Sequence, residues 1–251
     1  MRADITYLGH STVLVVMGNT RILTDPVLYD RVSILRRTVS PLPPALWADI
    51  DAVVISHLHH DHLDLPSLRL LDPTVRLIVP RGAAQFLERN GFLNITELAP
   101  AETADVGSVR LTATPARHSG FRLPFGPRAM AIGYLLDEGS ERVYFAGDTD
   151  LFDEMQDLED IDLALLPVWG WGPRLGPGHM DPIRAAESLR LLQPRAAVPI
   201  HWGTLWPLGL GRVARDRLQR PPLEFARRAA LAAPSVTVYT TPPGQTVSIP
   251  R

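Results

Sequence analysis

The sequence predicts an α/β protein built as a four-layer αββα sandwich. Three observations carry that expectation. Short apolar runs of strand length recur in both halves of the chain, helix signals flank them in each half, and His and Asp residues stand just past several strand ends. The chain has 251 residues, 45% of them hydrophobic, and no linker or low-complexity tract, so residues 1–251 are expected to form one domain.

Ile5 to Leu8, Thr12 to Met17 and Thr20 to Thr24 read as strands, with Gly18-Asn19 as the turn between the last two. Val53 to Ser56, Arg76 to Val79, Ile95 to Leu98 and Val109 to Thr114 continue the first half. Helices are expected near Pro66 to Leu71 and Ala83 to Arg89, the latter ended by Asn90-Gly91. The second half repeats the plan with strands at Met130 to Leu136, Val143 to Ala146, Leu163 to Pro167 and Ala197 to Ile200. Asp181 as N-cap, with Pro182 at the first helical position, opens a helix to about Leu192. A further helix is expected over about Leu223 to Ala232, and Val236 to Ile249 reads as a terminal hairpin. Segment 28–48 is apolar at Leu28, Tyr29, Ile34, Leu35 and Trp47, but Pro41, Pro43 and Pro44 argue against regular structure there.

The run His57-Leu58-His59-His60-Asp61-His62 is the most informative stretch, with four of the chain's eight histidines inside six residues. It follows the buried-strand pattern Asp51 to Ser56 and so sits on the loop at a strand's carboxyl end, where α/β sheets place their chemistry. Neutral imidazole and carboxylate suit zinc and related divalent ions. On an extended exit, His57 and His59 point to one side and can grip one ion; the adjacent Asp61 and His62 point elsewhere and could serve a second. Four side chains do not close two sites. His118, Asp148 and His201 each follow a strand-like run, and although a lone histidine after a strand is more often structural, these three stand in a consistent pattern.

In that order, His57, His59, Asp61, His62, His118, Asp148 and His201 resemble the full ligand set of the metallo-β-lactamase fold superfamily. The resemblance implies one metal held by His57, His59 and His118, a second by Asp61, His62 and His201, and Asp148 bridging both. It also implies the αββα architecture, with the metals along one edge between the sheets. The segments Tyr7 to Thr12, Leu23 to Pro26, Ser56 to Asp64, Gly178 to Pro182 and Ile200 to Thr204 are similar to the branch containing N-acyl-phosphatidylethanolamine-hydrolysing phospholipase D and its bacterial relatives. The ascorbate-6-phosphate lactonase group is a cousin of that branch.

Composition narrows the classes. A net charge of −2 argues against a nucleic-acid partner, which would call for a basic surface. The arginines at 36, 37, 212, 215, 217, 220, 227 and 228 read as a solvated face or as an anion-attracting rim. With no cysteine, there is no disulfide, no thiolate nucleophile and no Cys-type zinc site. Met1 to Tyr7 runs straight into strand pattern without a signal-peptide apolar region, and no apolar stretch is long enough to span a membrane, so a cytoplasmic location is expected.

The expected activity is that of a binuclear metal-dependent hydrolase, with two divalent ions, zinc first and manganese or iron as alternatives, and a metal-bound hydroxide as nucleophile. The substrate is a small or lipid-derived molecule, foremost a phosphodiester; a lactone or carboxylic ester is the alternative. A di-iron redox protein is a third use of the fold, but it calls for a flavin domain, and no second domain is expected here. Asp61, Asp148 and His179 are the candidate catalytic residues, His179 as substrate contact or general acid, with a capping or core histidine as its alternative. Asp25 is read as fixing a ligand imidazole from behind or as a turn residue before Pro26, His10 as a capping or core residue, and His60 as facing solvent or packing under the loop. Segments 28–48 and 168–176, with Trp169, Trp171, Trp202 and Trp206, are either apolar walls over the metals or loops tucking aromatics into the core.

Overall fold

A computed structural model describes residues 3–40, 42–211 and 215–249. The first half contains β1 (Asp4–Gly9), β2 (Thr12–Met17), β3 (Thr20–Thr24), β4 (Arg31–Val32), β5 (Leu35–Arg37), β6 (Ala52–Val54), α1 (Leu65–Leu68), β7 (Arg76–Pro80), α2 (Ala84–Arg89) and β8 (Ile95–Leu98). After it come β9 (Thr103–Val106), β10 (Val109–Pro115), β11 (Ile132–Asp137), β12 (Arg142–Phe145), β13 (Leu163–Pro167), α3 (Pro182–Leu192), β14 (Ala196–Ile200), β15 (Leu205–Pro207), α4 (Arg220–Ala232), β16 (Thr237–Val238) and β17 (Thr246–Ser248).

Two seven-stranded sheets result, ordered β17-β1-β2-β3-β6-β7-β8 and β16-β14-β13-β12-β11-β10-β9. Strand alternation explains how they stack. Val13 and Val15 of β2, and Ala52 and Val54 of β6, point into a core shared with Tyr134, Phe145 and Leu165 of the second sheet. Leu14, Val53 and Leu77 point the other way and pack with Leu68 and Leu87 of α1 and α2. On the far side of the second sheet, Ala185 and Leu189 of α3 and Phe225 and Ala229 of α4 close its outer face. The layers run helix, sheet, sheet, helix, as the sequence predicts. Strands buried on both faces read as continuous apolar runs, which is why β6 and β13 are visible in the sequence.

Several elements differ from expectation. The helix expected near Pro66 is the single turn α1, capped by the Asp64 carboxylate accepting from Ser67 N. Segment 28–48 is not irregular throughout: β4 and β5 pair with each other, and β5 pairs with β15 in a three-stranded sheet of their own. The prolines exclude strand only at the far end, where Pro44–Trp47 forms a 3-10 turn; Pro41 lies outside the described residues. Helix α4 begins at Arg220, ahead of the expected start, because Pro221 and Pro222 occupy its first turn, where a missing N–H costs nothing.

The terminal hairpin does not exist. β16 runs parallel to β14 in the second sheet, whereas β17 runs antiparallel to β1 in the first. The chain crosses between sheets at Pro242 to Gly244, and Gly244 N donates to Tyr7 O at 2.7 Å. Arg227 and Arg228 of α4 both pair with Glu224 a turn away, a solvated face; Arg212 lies outside the described residues. Among the described residues, no helix is long and apolar enough to cross a membrane.

Candidate metal centre

The histidine run leaves β6 extended, then turns. Leu58 is fully buried in the helix-side core, so His57 and His59 on either side of it project the opposite way, and His57 Nε2 lies 2.9 Å from His59 Nδ1. His59 O then accepts from His62 N and Leu63 N, a turn that swings Asp61 and His62 to a second position. His118, arriving from β10, places Nε2 3.1 Å from His59 Nδ1. His201, arriving from β14, places Nε2 3.1 Å from His62 Nε2. Asp61 Oδ2 is 3.9 Å from His62 Nε2 and 3.8 Å from His201 Nε2.

Asp148 lies between the two groups. Its Oδ2 is 3.1 Å from His62 Nε2 and 4.0 Å from His57 Nε2, and its Oδ1 is 3.3 Å from His201 Nε2. It follows Gly147, which has φ +60° and would bring a Cβ to 2.5 Å from Ser56 Cβ. Only glycine lets β12 release Asp148 this close to the histidine loop.

The outward nitrogens of four rings are tied down. His62 Nδ1 donates to Asp25 Oδ2 at 2.7 Å, His118 Nδ1 to Gly178 O at 2.7 Å and His201 Nδ1 to Trp169 O at 2.7 Å. His57 Nδ1 donates to Ser56 Oγ at 3.0 Å, and that hydroxyl donates on to Asp25 Oδ2 at 2.6 Å. Each bond fixes a tautomer and leaves Nε2 turned inward. Asp25 therefore holds two imidazoles, as the sequence reading expects of it for one.

Electrostatics match this arrangement. Burial holds His57 and His59 below the ordinary imidazole range and His118 down at about 4, so these three rings are neutral at physiological pH. Burial also opposes charge on His62, but the carboxylates of Asp148, Asp25 and Asp61 outweigh it and raise its pKa well above the ordinary value. Burial would raise Asp61 and Asp148, yet the surrounding imidazoles hold both carboxyls well below the usual range.

Converging inward nitrogens, two ionised carboxylates and the buried Oδ1 of Asp148, which accepts no hydrogen bond from the described residues, fit divalent cations. Tetrahedral coordination at about 2.0–2.1 Å sets ligand nitrogens roughly 3.3 Å apart, close to the spacing here. Groups able to hold an ion include His57-His59-His118 and His10-Asp61-His62-His201. The second group contains His10, which the sequence reading left outside the site. The only local hint was its place beside Gly9 in a tight turn.

A cleft of about 470 Å³ opens over Asp61, Asp148 and His201, walled by Ile34, Leu123, Trp171 and Leu175, with Arg174 its one arginine among the described residues. His179 lines it too, with Nε2 3.3 Å from Asp148 Oδ2. Burial lowers the His179 pKa, but the hydrogen bond and charge of Asp148 push it up to about 8. His60 is half-buried and its Nε2 donates to Leu123 O at 3.0 Å, so it anchors a cleft wall. The aromatic walls are only partly as expected. Trp171 lines the cleft, whereas Trp202 and Trp206 are buried, Trp202 against Tyr7 at 5.6 Å, and Trp169 packs on the core. Trp202 directly follows His201, and Trp206 lies within β15 of the three-stranded sheet.

A sandwich of facing sheets, with histidine and aspartate loops along one edge, defines a metallo-hydrolase class of fold. The chain belongs to the beta-lactamase superfamily, the description of the family domain that matches residues 20–202. It is 32% identical over 230 residues to an N-acyl-phosphatidylethanolamine-hydrolyzing phospholipase D of Caenorhabditis elegans, covering 81% of this chain but 64% of that protein's length. It is 32% identical to a metal-dependent hydrolase of Rubrobacter xylanophilus, covering 96% of this chain and 94% of that one. Igni18, a metallo hydrolase of Ignicoccus hospitalis, superimposes over the whole of both chains with a TM-score of 0.78 at 24% identity.

Proposed function

We propose that this chain is a binuclear metal-dependent hydrolase of phosphodiesters that carry an apolar portion. The observation that carries the reading is Asp148: one buried carboxylate within 4.0 Å of His57, His62 and His201, at the floor of an apolar cleft with an arginine on its wall. In this reading His57, His59 and His118 would hold one ion and Asp61, His62 and His201 the other, with Asp148 facing both groups. Two such ions, when bound, supply the acidity that makes water a nucleophile at neutral pH and the charge that polarises a phosphoryl oxygen.

The chain's own residues do the rest. Asp61 and Asp148 are the ionised carboxylates that line the cleft, and both are placed to accept a hydrogen bond from the attacking water and hold it in line. His179 carries a proton at neutral pH and faces the cleft, so it donates to the departing oxygen as the phosphorus–oxygen bond breaks. Ile34, Leu123, Trp171 and Leu175 exclude water and hold the apolar portion, while Arg174 attracts the anion.

The phospholipase D relative supports a phosphodiester over a lactone. The test is a panel of chromogenic phosphodiester, phosphomonoester, lactone and cephalosporin substrates on demetallated and reconstituted protein. The expected result is a kcat/KM for the phosphodiester at least about tenfold above the others, lost with the metal and restored by zinc, manganese or iron. A lactone preferred by the same margin would replace the phosphodiester reading.

A further inference from the structure

We propose that His10 is a positioning residue of the second metal site, orienting Asp61 through a hydrogen bond and His201 through its ring and main chain. The inference rests on the two-ion reading above. His10 is 1% exposed and caps the turn between β1 and β2. Its Nε2 lies 2.9 Å from Asp61 Oδ2. A carboxylate only accepts, so Nε2 carries the proton, and the buried Nδ1 is left without a partner among the described residues. The bond occupies Oδ2 on one side and turns the remaining lone pairs of Asp61 toward His62 and His201.

The other contacts reach His201. The two rings pack with centroids 4.0 Å apart, and His201 N donates to His10 O at 2.7 Å. His10 N donates to Thr204 Oγ1 at 2.8 Å, so the turn is clamped to the loop after β14 on both sides of its peptide. His10 and His201 have φ of +57° and +62°, backbone that non-glycine residues rarely adopt and that persists where surroundings enforce it. Gly9 is required beside it: a Cβ there would stand 2.6 Å from Thr204 Oγ1. Two of the three protein groups assigned to the second ion are thus set by one residue from the opposite end of the chain. A ring that lies against His201 at a 41° tilt and spends its Nε2 proton on Asp61 is placed to orient ligands, not to be one.

The test is zinc titration of demetallated wild type, His10→Leu and His10→Gln against a competing chelator, with ring ¹⁵N spectra of the loaded wild type assigned by loss of the His10 signal in His10→Gln. Leucine keeps apolar bulk without a donor; glutamine restores an N–H near the Nε2 position. In His10→Leu, the first-ion affinity should match wild type and the second-ion affinity should fall about 10–100-fold. His10→Gln should recover to within about threefold of wild type. The loaded wild type should show His10 protonated at Nε2. The proposal is overturned if His10→Leu binds the second ion within about threefold of wild type, or if His10→Gln is as weak as His10→Leu, since packing would then suffice. A metal-shifted Nε2 would overturn it too, by making His10 a ligand. If His10→Leu does not fold, the wild-type spectrum and His10→Gln still decide. A wild type that takes up only one ion fails at the first step and brings down the two-ion reading together with this inference.

Discussion

His62 donates from Nδ1 to Asp25 Oδ2 at 2.7 Å, and both side chains are fully buried. The same carboxylate accepts from Ser56 N at 2.7 Å and Ser56 Oγ at 2.6 Å. One residue at the end of β3 therefore sets the ring of His62 and, through Ser56, that of His57.

Asp25→Asn keeps the shape and tolerates the positive φ of +34° that Asp25 adopts. It removes the charge that orients His62. Metal affinity should fall about 10–100-fold while the circular dichroism of the fold is unchanged. Undiminished affinity in a chelator competition would show that His62 needs no such support.

Metal uptake should release protons unequally. His57, His59 and His118 are held below their ordinary pKa by burial, so loading them above about pH 6.5 releases nothing. His62 is held above its ordinary value by three carboxylates despite burial, so it must lose a proton before its Nε2 can bind a cation. Binding of the second ion should release about one proton at pH 7, and its affinity should rise with pH while the first stays flat. Calorimetry in buffers of different ionisation enthalpy measures this directly, and equal release by both ions would contradict the assignment.

Asp148→Ala should lower kcat by roughly a thousandfold or more, since Asp148 faces both ligand groups. The fold should hold, because the side chain sits on a loop past β12 and not in the apolar core. Activity within tenfold of wild type at unchanged metal content would remove Asp148 from the shared position.

For His179→Gln the leaving group is the discriminating variable. A general acid matters most when the departing alkoxide is basic, so kcat should fall about 10²–10⁴-fold on an alkyl phosphodiester and much less on a nitrophenyl ester. Equal losses on both would make His179 a binding residue.

Trp171, 39% exposed at the cleft mouth, bears on substrate class. Each buried methylene is worth about 0.8 kcal/mol, so two added carbons should raise kcat/KM roughly tenfold until the cleft is filled. Trp171→Ala should flatten that slope more than it lowers activity on a short ester. A flat wild-type profile across acyl lengths would point to a small polar substrate.

The ligand candidates were legible because a metal demands particular atoms at strand ends, and His57 to His62, His118, Asp148 and His201 carry those atoms in a fixed order. Most strands were legible for a related reason: β6 and β13 are buried on both faces, so local composition carries their environment. Asp25 stands too early in the chain for a ligand position, which left a supporting role or a plain turn open, and the pairing of β3 with β6 decided for the first.

What the tertiary structure alone decided depends on partners far away in sequence. β16 and β17 look like a hairpin locally, but the unpaired edges of two different sheets take one each. β4 and β5 are too short to show a period, and their sheet exists because β15 arrives beside β5. Trp202 and Trp206 have the composition of a substrate wall, yet Trp202 is buried against Tyr7 and Trp206 is buried within β15 of the three-stranded sheet. His10 has no ligand spacing at all; it joins Asp61 and His201 only because the β1–β2 turn and the loop after β14 close on each other in space. Residue chemistry and local burial are written along the chain, whereas sheet-edge pairing and contacts between loops from opposite ends are set only when the layers pack.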